Sequence, residues 1–181
     1  MEIKRVKDIM IPLDNYPHVP CWYTLRQAME EMEKYHIESG GRMSLPRVIL
    51  IFDLDSSLCG IVRRRDIMRG LEPDFLANKP LDYQKKLFDV TVDPNLTELT
   101  YDNVFLHLQD QAERPVSEVM VPVKATVDYE DHIMRVIYEM VTNDRSLIPV
   151  VKGRTIVGVV RSVEVYREII HVVFKSKTDS E

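Results

Sequence analysis

The chain has 181 residues, enough for one medium domain or two small ones around a real core. A formal net charge of −5 argues against nucleic acid as the main partner, because nucleic-acid binding ordinarily needs a basic face. Cys21 and Cys59 are too few for a disulfide framework and lack metal-site spacing; residues 2–8 form a mixed-charge run, not a signal peptide, and no apolar run approaches the roughly twenty residues of a membrane span, so a cytoplasmic protein is expected.

Residues 6–12, Val6-Lys7-Asp8-Ile9-Met10-Ile11-Pro12, alternate in polarity and stop at a proline, which predicts a short lead-in strand. After an irregular stretch with one buried valine, Val19, Thr24 and Gln27 have the spacing of a capping box. Leu25, Ala28, Met29 and Met32 then share one helical face, best read as core packing. Residues 37–45, with Gly40 and Gly41, read as an inserted loop. The β-branched run 47–52, the turn 53–57 and the strand 58–62 read as a hairpin, followed by a helix from Asp66 to about Gly70.

Residues 72–114 are punctuated by Pro73, Pro80 and Pro94, with Pro115 just beyond, yet they are rich in large apolar groups. Tyr83, Leu87 and Phe88 suggest a short helix, and Asn95 with Glu98 opens a longer one carrying Leu96, Leu99, Tyr101, Val104, Phe105 and Leu108. Such a segment is expected to be a helical insert packed on the module or on a partner, not a tether. Residues 175–181 are polar and read as a disordered tail.

The rest of the chain repeats the first part. Val116-Ser117-Glu118-Val119-Met120-Val121-Pro122 matches residues 6–12 position for position, and Val127 stands in the place of Val19. A helix opened by Asp131 carries Ile133, Val136, Ile137 and Met140 on one face. A hairpin follows through 147–160, turning at Lys152-Gly153-Arg154, and a last helix runs from Ser162 to about Val173. Most distinctive is the pair Gly60-Ile61-Val62-Arg63-Arg64-Arg65-Asp66 and Gly158-Val159-Val160-Arg161-Ser162-Val163-Glu164. Two copies of one ordered pattern indicate an internal duplication. One unit cannot bury both its sheet and its helices, whereas two packed sheet to sheet can.

This ordered set resembles two cystathionine-β-synthase (CBS) domains, the tandem called a Bateman module. The resemblance implies an α+β fold of two β-α-β-β-α repeats related by a pseudo-two-fold. The repeats would be residues 1–71 and 116–174, with a helical insert at 72–115 and the tail at 175–181. It also implies a non-catalytic regulatory module that holds AMP, ADP, ATP or a related adenosyl ligand between the repeats and signals to a protein target, commonly as a homodimer. No cofactor is required. In the family a Thr or Ser meets phosphate or sugar, an Asp three residues later accepts from ribose, and backbone near the Met-Pro segment lines the adenine. Carried onto this chain, the ligand-binding positions are Arg63, Arg65, Asp66, Arg161, Glu164, Met10, Pro12, Met120 and Pro122.

The chain departs from the pattern. Arg63 and Arg161 stand where the hydroxyl is usual, and Glu164 replaces the acid of copy two, so copy one is the better site candidate. An arginine there either forks onto phosphate or pairs with Asp66 or Glu164 and closes the cleft. Arg63, Arg64 and Arg65 also read plainly as a solvated helix start, and Met10 and Met120 as core filling. A ligand-free dimerisation scaffold of the same fold is the alternative function. A remote third reading is a haloacid-dehalogenase-like phosphatase, since 48–58 resembles its first motif, with Asp53 as nucleophile and Asp55 as acid/base. That chemistry also needs a downstream lysine and a paired acidic motif after another strand, and no Gly-Asp or Asp-Asp cluster follows. The five histidines are scattered without ligand spacing.

Overall fold

The computed structural model describes residues 4–39, 41–72 and 101–175. In chain order these form α1 (Val6–Ile9), β1 (Ile11–Pro12), β2 (His18–Pro20), α2 (Leu25–Lys34), β3 (Ile37–Ser39), β4 (Arg42–Ser44), β5 (Val48–Phe52), β6 (Leu58–Arg63) and α3 (Arg64–Leu71). Then come α4 (Tyr101–Gln111), β7 (Val127–Asp128), α5 (Ile133–Thr142), β8 (Leu147–Lys152), β9 (Thr155–Arg161) and α6 (Ser162–Lys175). The fold is α+β and built twice: β2 runs parallel to β5 and β5 antiparallel to β6, just as β7 pairs with β8 and β8 with β9. Both hairpins carry a register shift at the same place, between Ile51 and Phe52 and between Val150 and Val151.

Local sequence explains the helices. Thr24 caps α2 as its spacing predicts: the Gln27 amide donates to Thr24 Oγ1 at 3.2 Å, and the Thr24 amide donates to Gln27 Oε1 at 2.9 Å. Leu25, Ala28 and Met32 are buried, as are Ile133, Val136 and Met140 on α5. The cap of α5 is not Asp131 but the next residue. His132 Nδ1 accepts from the Met134 amide at 3.2 Å, and Asp131 instead accepts from the Asp128 amide at 2.9 Å. The helix after β6 also starts two residues earlier than expected, at Arg64, because Asp66 occupies its third position and accepts from the Arg63 amide.

Two further expectations are corrected. Residues 6–9 form a helical turn rather than a strand: Val6 and Ile9, three apart, face one way in a helix, and Asp8 accepts from the Arg5 amide at 2.8 Å. Ile37–Ser39 and Arg42–Ser44 pair antiparallel as β3 and β4 rather than forming a loop, with Ile37 buried. The predicted helix start near Asn95, the short helix at 83–88, and residues 176–181 lie outside the described residues. The described end of the insert, α4, leads into a segment that supports α2: the Leu25 and Arg26 amides donate to the carbonyls of Arg114 and Ala112, both at 2.9 Å. No helix among the described residues is long and apolar enough to cross a membrane.

The two copies exchange their lead-in segments. β1 pairs with β9, so the start of copy one completes the sheet of copy two, in the order β1-β9-β8-β7. Reciprocally, Val121 bridges Ile61 of β6, with amide–carbonyl distances of 3.0 and 2.9 Å. The Val6 amide donates to the Asp131 carbonyl, and its counterpart Val116 donates to the Tyr23 carbonyl. Side chains follow the backbone. Val6 and Ile9 are buried among Val127, Val136, Ile148 and Val160 of copy two, while Val116 and Val119 are buried among Leu25, Ile49, Val62 and Ile67 of copy one. A third cluster, including Tyr16, Leu50, Ile61, Leu147 and Val159, joins the two sheets.

The exchange explains the repeated glycines. A Cβ on Gly158 would stand 2.3 Å from the Ile11 carbonyl oxygen, and one on Gly60 would stand 2.8 Å from that of Val121. Neither glycine has a positive φ, so the requirement is space for the crossing strand and not backbone freedom.

Candidate functional site

Both Gly-apolar-apolar-Arg strings end where a β-strand passes into a helix, and in both the arginine turns back onto the acid three residues later. In copy one, Arg63 grips Asp66 with two parallel bonds, Nε to Oδ2 at 2.6 Å and Nη2 to Oδ1 at 2.8 Å. The Arg63 amide also donates to Oδ2 at 3.0 Å, and Arg69 Nη2 to Oδ1 at 3.2 Å. Four donors fill a carboxylate that is only 1 % exposed. Burial alone would raise the Asp66 pKa. The hydrogen bonds from the Arg63 side chain and amide, with the charges of Arg63 and Arg69, outweigh it and hold the carboxyl below its ordinary value.

In copy two, Arg161 Nε donates to Glu164 Oε2 at 3.0 Å, and Nη2 donates to Oε1. This pair also sits largely out of solvent, with side chains 12 % and 13 % exposed. The remaining arm of Arg161, Nη1, reaches Ser44 Oγ of β4 at 3.4 Å. The hairpin peculiar to copy one thus stands against the cleft of copy two.

That contact makes the two clefts unequal. The copy-two cleft is a cavity of about 380 Å³ between the copies, bringing together Arg42, Ser44 and Arg47 of copy one with Arg161, Ser162 and Arg167 of copy two. Tyr16 also lines it; the side chain is fully buried and its hydroxyl has no hydrogen-bond partner. Burial pushes its pKa up, so the phenol stays protonated. The copy-one cleft, about 640 Å³, is lined by Arg63, Arg65 and Arg145 but also by Asp144, Met140 and Val141.

Of the residues picked from the sequence, Arg63 and Arg65 line one cleft and Arg161 the other. Asp66 and Glu164 lie behind their arginines. Met10 and Met120 pack against the two cores, Pro12 lies in β1 opposite Gly158, and Pro122 borders a small crevice beside Ile61. Sequence reasoning missed Tyr16, Arg42, Arg47 and Arg167. The one available signal was that Arg42 belongs to the stretch that copy two lacks. Asp53 and Asp55 form a turn: Asp53 Oδ1 accepts from the amides of Asp55 and Ser57, at 3.0 and 2.9 Å. No cluster of metal-ligating residues occurs among the described residues.

Comparison with known proteins matches residues 6–73 to the CBS domain family model. No curated protein sequence matches this chain. Among solved structures, a putative acetoin utilization protein (AcuB) from Vibrio cholerae is 19 % identical, with 99 % of each chain covered and a TM-score of 0.60. The CBS domain of a membrane protein from Sphaerobacter thermophilus is 20 % identical over 90 % of this chain and 86 % of its own, with a TM-score of 0.62. CBSX2 in complex with AMP is 16 % identical over 93 % and 97 %, with a TM-score of 0.58.

Proposed function

We propose that this chain, whose residues 6–73 match the CBS domain model and whose described residues share the fold of solved CBS-domain structures, is a regulatory module that takes an adenosine nucleotide into the cleft beside Arg161. The observation that carries this reading is the concentration of Arg42, Arg47, Arg161 and Arg167 around one cavity of a chain whose net charge is negative. Arginine forks suit phosphate oxygens, and the amides at the start of α6 lie beside them. The AMP-bound neighbour of the same fold supports the ligand class. On this reading the phosphates draw Arg161 forward and Glu164 is released toward the ribose. In copy one, Asp66 would serve the same role if Arg63 and Arg65 turned to phosphate. Occupancy biases the packing of the copies and so shifts a population that a partner reads.

Titration with ATP tests this directly. At one hundred times its dissociation constant the nucleotide should stabilise the full chain by about 2.7 kcal/mol in thermal unfolding. Arg47→Ala, at an exposed position, should weaken binding severalfold. No shift with AMP, ATP or S-adenosylmethionine would favour the ligand-free scaffold, the reading supported by the closed Arg63–Asp66 and Arg161–Glu164 pairs.

The partner proposed is a second copy of this chain. Met134, Tyr138 and Val141 on α5 and Val163, Tyr166, Ile170 and Val173 on α6 are all exposed. The two helices pack side by side, so these residues form an apolar stripe of the kind a two-fold contact buries twice. Light scattering at tens of micromolar should give a dimer, and Tyr166→Glu a monomer with unchanged secondary structure. A monomeric parent chain would sink this assignment.

A further inference from the structure

The two copies are built alike, so a difference between matching exposed positions is not dictated by the fold. The capping residues Thr24 and His132 align α2 with α5, and Arg63 and Arg161 align α3 with α6. On this register Arg26, Glu30, Glu33 and Arg65 of copy one correspond to Met134, Tyr138, Val141 and Val163 of copy two, and every one of them is exposed. Copy one reaches the same fold with charges at these places. Apolar side chains left in water on one copy only are therefore a binding surface and not core.

Copy one shows what such a surface holds. There α4 lies against α3, and Leu108 shares an apolar groove with Met68 and Leu71. Arg26 of α2 pairs with Glu113 just past the end of α4, and its Nη2 donates to the Gln109 carbonyl at 3.4 Å. The copy-two counterparts of Arg26, Met68 and Leu71 are Met134, Tyr166 and Ile169, all exposed. α4 itself is not satisfied by its seat on copy one. Val104 is partly buried, whereas Phe105 and Leu106 remain 52 % and 59 % exposed. A helix apolar on both sides is suited to lie between two bodies.

We propose that α4 is the dimer contact: its outward face, Phe105 and Leu106, seats on the α5–α6 stripe of a second copy around Tyr166, and the second copy's α4 returns the contact. Such an arrangement is two-fold and closed, each residue meeting its partner residue twice. Each α4 then joins its own copy one to copy two of the partner. This rests on the dimer reading above and assigns what meets the stripe. The simpler arrangement, stripe on stripe, leaves both outward α4 faces in water.

Disulfide trapping in the full chain carrying Cys21→Ser and Cys59→Ser tests the arrangement. Co-expressed Phe105→Cys and Tyr166→Cys chains, one of them tagged, should cross-link to each other on mild oxidation. Neither variant alone should cross-link to itself. Phe105→Glu, at an exposed position, should raise the dimer dissociation constant about tenfold or more while leaving the circular dichroism spectrum unchanged. A Tyr166→Cys chain that cross-links to itself overturns the role of α4 and leaves a stripe-on-stripe dimer standing. A Phe105→Glu chain that dimerises as the parent does, or a dimeric chain without the mixed cross-link, overturns that role as well. A monomeric parent chain removes both the dimer and the role of α4.

Discussion

Gly158→Ala should destabilise the protein by roughly 3 kcal/mol, although it adds a single methyl group. The new Cβ would meet the Ile11 carbonyl oxygen at 2.3 Å, with the Ile11 carbon and Pro12 Cα at 3.1 and 3.3 Å. All three are backbone atoms, so no rotamer change relieves the clash; β1 must move off β9. Moving it loosens Val6 and Ile9 in the core of copy two, where burial of each contributes roughly 1.5–3 kcal/mol. Gly60→Ala should follow with about half that cost, since its nearest obstacle, the Val121 oxygen, is at 2.8 Å and the next is the flexible Met120 side chain. In a chain of this size 3 kcal/mol lowers the melting temperature by roughly 6–12 °C. Calorimetry that ranked the two glycines equally, or in reverse, would refute the exchange of lead-in segments as their cause.

The second large effect is expected at Asp66. Asp66→Ala removes the acceptor of four hydrogen bonds and leaves the Arg63 guanidinium, only partly exposed, without its partner. Breaking a buried pair costs about 3–5 kcal/mol, and the reach of Arg63 toward solvent brings the expected loss to the lower end, about 3 kcal/mol. The effect depends on pH with a definite sign. The folded carboxyl has a depressed pKa, so its contribution is present above the unfolded value near 3.9 and disappears as pH falls through the lower folded one. Stability curves of the parent and Asp66→Asn proteins should therefore differ most above about pH 4 and converge in stronger acid. A constant offset down to pH 2 would show that packing, not charge, holds this corner.

Repetition made most of the fold legible. The hairpins, the Thr24 cap, the faces of α2 and α5 and the two arginine–acid strings are local patterns, and local patterns survive into structure when every level agrees with them. What could not be read is which sheet a short segment joins. Ile11-Pro12 and Val121-Pro122 carry the same β-branched-then-proline pattern, which does not distinguish one hairpin edge from the other, so their exchange is decided by tertiary packing. The cleft was half legible for the same reason. Arg63 and Arg161 announced themselves by breaking a pattern, whereas Arg42, Arg47 and Tyr16 reach the second cleft only because the hairpin and lead-in of copy one fold across to it.

The exchange also sets an order in time. Copy one is written first along the chain, but its core takes Val116 and Val119, and its edge strand Val121. A growing polypeptide whose β6 ends at Arg63 cannot finish that sheet until Val121 has been made, whatever the stability of the hairpin already synthesised. Copy two, by contrast, finds Val6, Ile9 and β1 waiting for it. Of the two copies, the one made first is therefore the one that must remain open longer, and its unfinished edge is exposed to stray pairing until residue 121 arrives.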